Sequence, residues 1–138
     1  MQANVRRFVA EHRRGVLTTF RRNGAAQMSI ITCGATRDGV GFTTTGDRAK
    51  LRNLKRDPRC SLLVATENWR SYVVLEGRAE LLTPGNTDAE ELRLALRDVY
   101  VAAAGQEHSN WEEYDQAVRD DQRSVVIVVP EHVYGLRV

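Results

Sequence analysis

Long apolar runs are missing from this chain. The longest, such as Ser124 to Pro130 and Tyr72 to Leu75, fall far short of the roughly 20 residues that a helix needs to cross a bilayer. The segment from Met1 to Arg14 is charged throughout and has no apolar core of the secretory-signal kind. A cytoplasmic protein with no membrane partner is therefore expected. Cysteine is scarce. Cys33 and Cys60 lie inside strand-like runs, in neither a CxxC nor a metal-type spacing. They read as small buried hydrophobes rather than as a disulfide or a nucleophile. His12, His108 and His132 are scattered and do not pair at helix spacing, so no metal site is expected. GxGxxG, P-loop and GxSxG patterns are all absent, which removes the sequence grounds for a dinucleotide fold, a nucleotide-triphosphate site or a hydrolase elbow.

What is present is ordinary in bulk and uneven in detail. A length of 138 residues fits one domain, spanning 1–138, that can bury its own core. Apolar residues at 42% and charged residues at 28% describe a soluble composition. The net charge of +2 says little, but between Arg48 and Arg59 six basic residues face one acidic residue, Asp57. The balance from Asp88 to Asp121 is acidic. A local basic patch on a near-neutral chain with few aromatics suits a small anionic ligand better than a nucleic acid.

The pattern of elements is mostly β with helices. A short helix is expected over Asn4 to Arg14, capped by Asn4 and ended by Gly15, with Val5, Phe8, Val9 and His12 on one face. Strands follow at Gly15–Phe20, Ala26–Thr36 and Val40–Thr44, joined by a type I′ turn at Asn23-Gly24 and a tight turn at Asp38-Gly39. These three strands are expected to form an antiparallel meander. Asp47 caps a helix over Arg48–Arg56 that Pro58 stops. Two further strands cover Cys60–Ala65 and Ser71–Leu82, with Gly77 as a bulge. Capping boxes at Thr87/Glu90 and Ser109/Glu112 open two helices. A last strand covers Ser124–Pro130, with a tail from Val133 to Val138. Six strands exceed what one flat sheet buries well, and closing them into a barrel removes the edges.

The chemistry concentrates in Phe42 to Asp57, FTTTGDRAKLRNLKRD. Thr43, Thr44 and Thr45 finish a strand, Gly46 bends the chain, and Arg48 and Lys50 enter the first helical turn. Cations there oppose the helix dipole, at about 0.3–1 kcal/mol each. The free N–H groups of the first turn also lack acceptors. A bound phosphate would answer both. Taken alone, the segment also reads as a solvated surface helix with Leu51 and Leu54 inward. Trp69 and Tyr72 are placed to stack on a ring system, although residues so placed are more often core or dimer contacts. Gln27 is either a heterocycle partner or an outward polar residue of its strand.

These residues resemble a known family. GVLTT, NG followed by AAQMS, DRAKLRNLKRDPRCSLLV, SYVVLEGRAELL, SNWEEYDQAV and SVVIVVPEHVYGL together are similar to the pyridoxamine-phosphate-oxidase-like split β-barrel flavoproteins. The chain looks most like their F420-dependent branch, the flavin/deazaflavin oxidoreductases of group B. The resemblance implies a six-stranded antiparallel split β-barrel of the FMN-binding type, α+β in class, that forms a homodimer with cofactor at the subunit interface. It implies that Arg48 and Lys50 hold the phosphate of F420, that Thr43, Thr44 and Thr45 line the same site, that Gln27 lies near the ring, and that Trp69 helps close the groove. Arg70 stands between Trp69 and the Ser-Tyr pair, and Ile30 stands where a polar residue is common in the family. The activity implied is hydride transfer from reduced F420 to a small-molecule substrate, with no catalytic side chain assigned; Tyr72, Tyr134 or a water are the candidate proton donors. FMN as cofactor, or a non-catalytic cofactor-binding role, are the alternatives.

Overall fold

A computed structural model describes residues 1–135. The elements are α1 (Ala3–Glu11), β1 (Arg14–Phe20), β2 (Ala26–Thr32), β3 (Gly34–Thr36), β4 (Gly39–Thr44), α2 (Ala49–Arg56), β5 (Arg59–Ala65), β6 (Tyr72–Leu82), α3 (Ala89–Ala104), α4 (Trp111–Asp120) and β7 (Ser124–Tyr134). No helix among the described residues is long and apolar enough to cross a membrane. The expected tail is β7 as far as Tyr134; Leu136 to Val138 lie outside the described residues.

Seven strands, not the expected six, form one antiparallel sheet in the order β2-β1-β5-β6-β7-β4-β3. The difference lies at Cys33. The run Ala26–Thr36 is not one strand: it leaves β1 after the Arg14–Thr32 pair, and beyond Cys33 it pairs with β4 instead, Gly34 opposite Gly41. Cys33 itself donates its N–H to the carbonyl of Arg13 at 2.8 Å. The expected three-strand meander is therefore replaced by two hairpins at opposite edges of the sheet. A flat sheet would hold those edges nearly 30 Å apart, at roughly 4.8 Å per strand spacing, while residues 32 to 34 span only about 7 Å. The sheet must curl until its edges nearly meet. Gly34 makes the crossing possible, because a Cβ there would collide with the α3 backbone at Ala102. Edge strands remain, and β2 exposes Met28 and Ile30.

The apolar pattern follows from the curl. α1, α2 and the concave face share one core, including Val9, Leu17, Phe42, Leu51, Leu54 and Val128. α3 and α4 cover the outside of β7 with a second core of Leu92, Leu96, Val99, Val118, Val125 and Ile127. Alternate residues of β7 thus enter different cores, which explains why Val125–Val129 reads as an unbroken apolar run. Gly77 is the expected bulge: the β6–β7 register shifts between Glu76 and Gly77.

Several boundaries differ from expectation for local reasons. The Asn23-Gly24 turn is not type I′, since only Gly24 has positive φ there (86°) and its N–H bonds the carbonyl of Arg21. This is a type I turn followed by a left-handed glycine. α1 starts after Gln2 with no side-chain cap and ends at His12, so Asn4 lies inside the helix and Gly15 in β1. α2 takes Arg48, not Asp47, at its N-cap, and Asp47 instead accepts from the Thr45 hydroxyl at 2.7 Å. Asp88 and Asn110 cap α3 and α4, each one residue after the expected Thr87 and Ser109. Thr87 still belongs to the preceding turn, its N–H bonded to the carbonyl of Thr83.

Both cysteines are buried and free, as read from the sequence, and burial pushes each thiol up to about 12. Neither is expected to react with iodoacetamide at mildly alkaline pH in the native protein, and both are expected to react in urea; native alkylation would contradict the burial. Leu54 is 1% exposed, so Leu54→Ala is expected to cost about 2–5 kcal/mol in urea denaturation.

Candidate functional site

The end of β4, the start of α2 and the α3–α4 pair enclose a cavity of about 610 Å³. Thr43, Thr44, Thr45, Arg48 and Lys50 line one side, Tyr100, Ala103, Tyr114 and Val118 another, and Ile30 to Thr32 a third. β4 is held against β7 by the Thr44–Ser124 and Thr43–Val125 pairs, which fixes the threonines at the cavity floor. The same pairing brings in Arg123, whose guanidinium donates to the Thr43 hydroxyl at 3.2 Å. Arg123 was not expected from the sequence, because its place depends on the β4–β7 register.

Polar groups at the α2 end are left without partners. Arg48 occupies the N-cap with extended backbone (φ −71°, ψ 141°) and offers no side-chain cap. The N–H groups of Ala49 and Lys50 therefore lack intrahelical acceptors. Neither the Arg48 nor the Lys50 side chain makes an ion pair or hydrogen bond among the described residues. Burial, and then the neighbouring Arg48 charge, hold the Lys50 ammonium below the ordinary lysine range. Desolvation disfavours the charged ammonium, and a like charge nearby adds to that. Asp121 also lines the cavity, but its carboxylate lies 3.8 Å from Arg123.

The rest of the basic helix is committed elsewhere. At helical spacing Arg48 would fall beside Arg52, Lys55 and Arg56 and away from Lys50. Instead Arg48 and Lys50 share the cavity, because Arg48 is outside the helical backbone and does not follow its 100° progression. Arg52 donates to the Asp47 carbonyl at 3.0 Å, and Arg56 to the carbonyl of Phe20 and the Asn53 side chain.

Gln27 and Trp69 lie off this cavity. Gln27 accepts a hydrogen bond from the buried Asn53 amide at 2.8 Å, and the same amide donates to the Thr19 hydroxyl at 3.1 Å. Asn53 thus ties α2 to β1 and β2, a role its polar character in a charged helix concealed. Trp69 lines a second cavity of about 480 Å³ that shares Thr32 and Ala103 with the first. Tyr72 and Tyr134 line neither cavity. Of the tyrosines that do line the first, Tyr114 donates to the carbonyl of Leu96 at 2.9 Å, and burial pushes it up to about 12.

Residues 1–137 match the family described as pyridoxamine 5'-phosphate oxidase. The chain belongs to that family, one of flavin-binding oxidoreductases. Among solved structures it is similar to a conserved hypothetical protein, Rv2991, from Mycobacterium tuberculosis, at 23% identity and TM-score 0.74 over 96% of this chain and 82% of that one. It is similar to an F420 reductase at 21% identity and TM-score 0.62, over 91% and 93% of the two chains. A heme storage protein from Vibrio cholerae, HutZ, matches at 13% identity and TM-score 0.66 over 97% and 93%. At these identities the likeness is one of fold.

Asn53→Ala would leave the Thr19 hydroxyl and Gln27 amide without their shared donor. A loss of about 1–3 kcal/mol is expected in urea denaturation; an unchanged midpoint would show that the network carries no stability.

Proposed function

We propose that this family member is an F420-dependent oxidoreductase that passes hydride to a small organic acceptor and acts as a homodimer with the cofactor at the subunit interface. The observation that carries this reading is the uncompensated pair Arg48 and Lys50 beside the free N–H groups that open α2. That donor set suits a phosphate ester. The threonine hydroxyls at the cavity floor and the apolar wall of α3 suit an amphiphilic cofactor with a polar chain and a flat ring. When bound and reduced, the deazaflavin supplies the hydride from its own ring. The chain's part is to hold the phosphate at Arg48 and Lys50 and to wall off water with Val99, Ala103 and Val118. The sequence resemblance favours F420 over FMN. One observation favours FMN: with Arg52 and Arg56 bonded within the chain, fewer cations remain for a polyanionic tail.

A fluorescence titration with F420 and separately with FMN tests the reading. Saturable, selective F420 binding is expected, weakened about tenfold or more in Lys50→Ala, as loss of a charge-assisted hydrogen bond implies. Selective FMN binding would move the chemistry to FMN, and binding of neither would overturn the proposal. The pH dependence has a definite sign. Only the ammonium form of Lys50 attracts the phosphate, and its pKa lies below the ordinary lysine value. Affinity is therefore greatest below that pKa and falls as pH rises through it, earlier than an unperturbed lysine would allow. Lys50→Arg should remove the fall.

A further inference from the structure

The second cavity is not explained by a phosphate site. Its walls are the end of α1 and the start of β1 (His12, Arg13, Arg14), the β5–β6 turn (Thr66, Trp69), and the residues Thr32 and Ala103 that it shares with the first cavity. Arg14 is paired directly across the sheet with Thr32, and Thr32 and Ala103 line both cavities, so the two adjoin there.

Trp69 lines this second cavity at a local cost. Its φ is 62°, a left-handed backbone that glycine or asparagine adopts readily and a bulky side chain does not. The turn around it is tightly held. Trp69 N–H bonds the Thr66 carbonyl at 2.9 Å, Thr66 N–H bonds the Ser71 carbonyl at 2.9 Å, and Asn68 accepts from both the Thr66 hydroxyl and Arg70 N–H. Yet the indole is 63% exposed and stacks on no other ring among the described residues. The chain therefore holds a strained aromatic in a stiff turn without packing it. Strain of this kind collects at ligand sites.

The charges beside it are similarly divided. Arg13 donates to the Ala10 carbonyl at 3.2 Å and lies against Gly105, and the His12 ring packs on Phe8 at 4.6 Å. Arg14 has neither an ion pair nor a hydrogen bond among the described residues. Glu11 and Glu67 also line the cavity, so the site offers one uncommitted cation, not a broad basic surface. A flat face and a single free guanidinium select a flat ligand with one negative charge.

We infer that this second cavity is the acceptor subsite, and that its ligand is a planar aromatic anion stacked on Trp69 and paired with Arg14. The assignment as acceptor subsite rests on the oxidoreductase reading above; the binding site itself does not. Equilibrium dialysis of the full chain against 2-naphthoate and the neutral isostere 2-naphthamide tests it without any cofactor. Naphthoate is expected to bind about tenfold more tightly than the amide, and Arg14→Gln should remove that preference while leaving F420 affinity unchanged. Lys50→Ala should leave naphthoate binding unchanged. Trp69→Gly should abolish binding of both probes while raising Tm by about 2–4 °C, because it relieves the left-handed strain. A structural role for the indole would lower Tm instead. Equal binding of the two probes, a preference that survives Arg14→Gln, or a Trp69→Gly variant that loses stability or its oligomeric state but keeps its affinity would each overturn the inference. Naphthoate binding without F420 binding would remove the cofactor reading and leave the aromatic-anion site standing. F420 binding with no charge preference at the second cavity would do the reverse.

Discussion

A single residue, Cys33, joins the two edges of the sheet. β2 ends at Thr32 on one edge and β3 begins at Gly34 on the other, so the curl follows from chain connectivity and would be required even of a sequence with weaker packing. The crossing has no room for bulk. Cys33 is fully buried, and Gly34 admits the backbone of α3 at Ala102. Because α3 lies across the seam at this point, its C-terminal half is placed over the residues just before it, Ile30 to Thr32. The groove is thus a consequence of the closure: it is the space between the edge strand, the helix that crosses the seam and the end of β4.

The helical pair keeps that space open. α4 is fastened to α3 by a bidentate pair from Arg97 to the buried Asp115 carboxylate, with Arg93 as a second partner. Hydrogen bonding from Arg97 holds the Asp115 carboxyl below the usual carboxylate range, so this fastening is present above that range and weakens as pH falls through the lowered pKa. Tyr114 adds a bond to Leu96, and its ring packs edge-on against Tyr100 at 5.0 Å. The wall facing Arg48 and Lys50 is therefore a stiff one, which suits a site that works by positioning.

Much of this was legible in the residues. Alternating β-branched runs located the strands, Gly77 marked the bulge, and the threonine–glycine–basic sequence marked the end of β4 and the start of α2. What escaped was non-local. Nothing in Ala26–Thr36 announces that its two halves pair with different strands, because both halves are strand-like and the break is made by tertiary contacts at Arg13 and Ala102. Arg123 joins the site through the β4–β7 register. The capping shifts had a smaller cause: neighbouring Thr-Asp and Ser-Asn pairs each offered two caps, and the turn before the helix decided between them.

Unpaired charge on an open surface is common and carries little meaning, since water solvates it. Concave surfaces differ, because walls of low dielectric strengthen an unmet charge and make it costly to leave so. Elsewhere on the same basic stretch, Arg52 and Arg56 bond carbonyls and Arg59 pairs with Asp57. Arg48 and Lys50 in the first cavity and Arg14 in the second line concave walls and have taken no such partner among the described residues. The strained, unstacked Trp69 stands beside the last of these. Folding alone gives no reason to leave these groups unmatched in two adjoining cavities; a phosphate-bearing cofactor in the first and a flat anion in the second would match them.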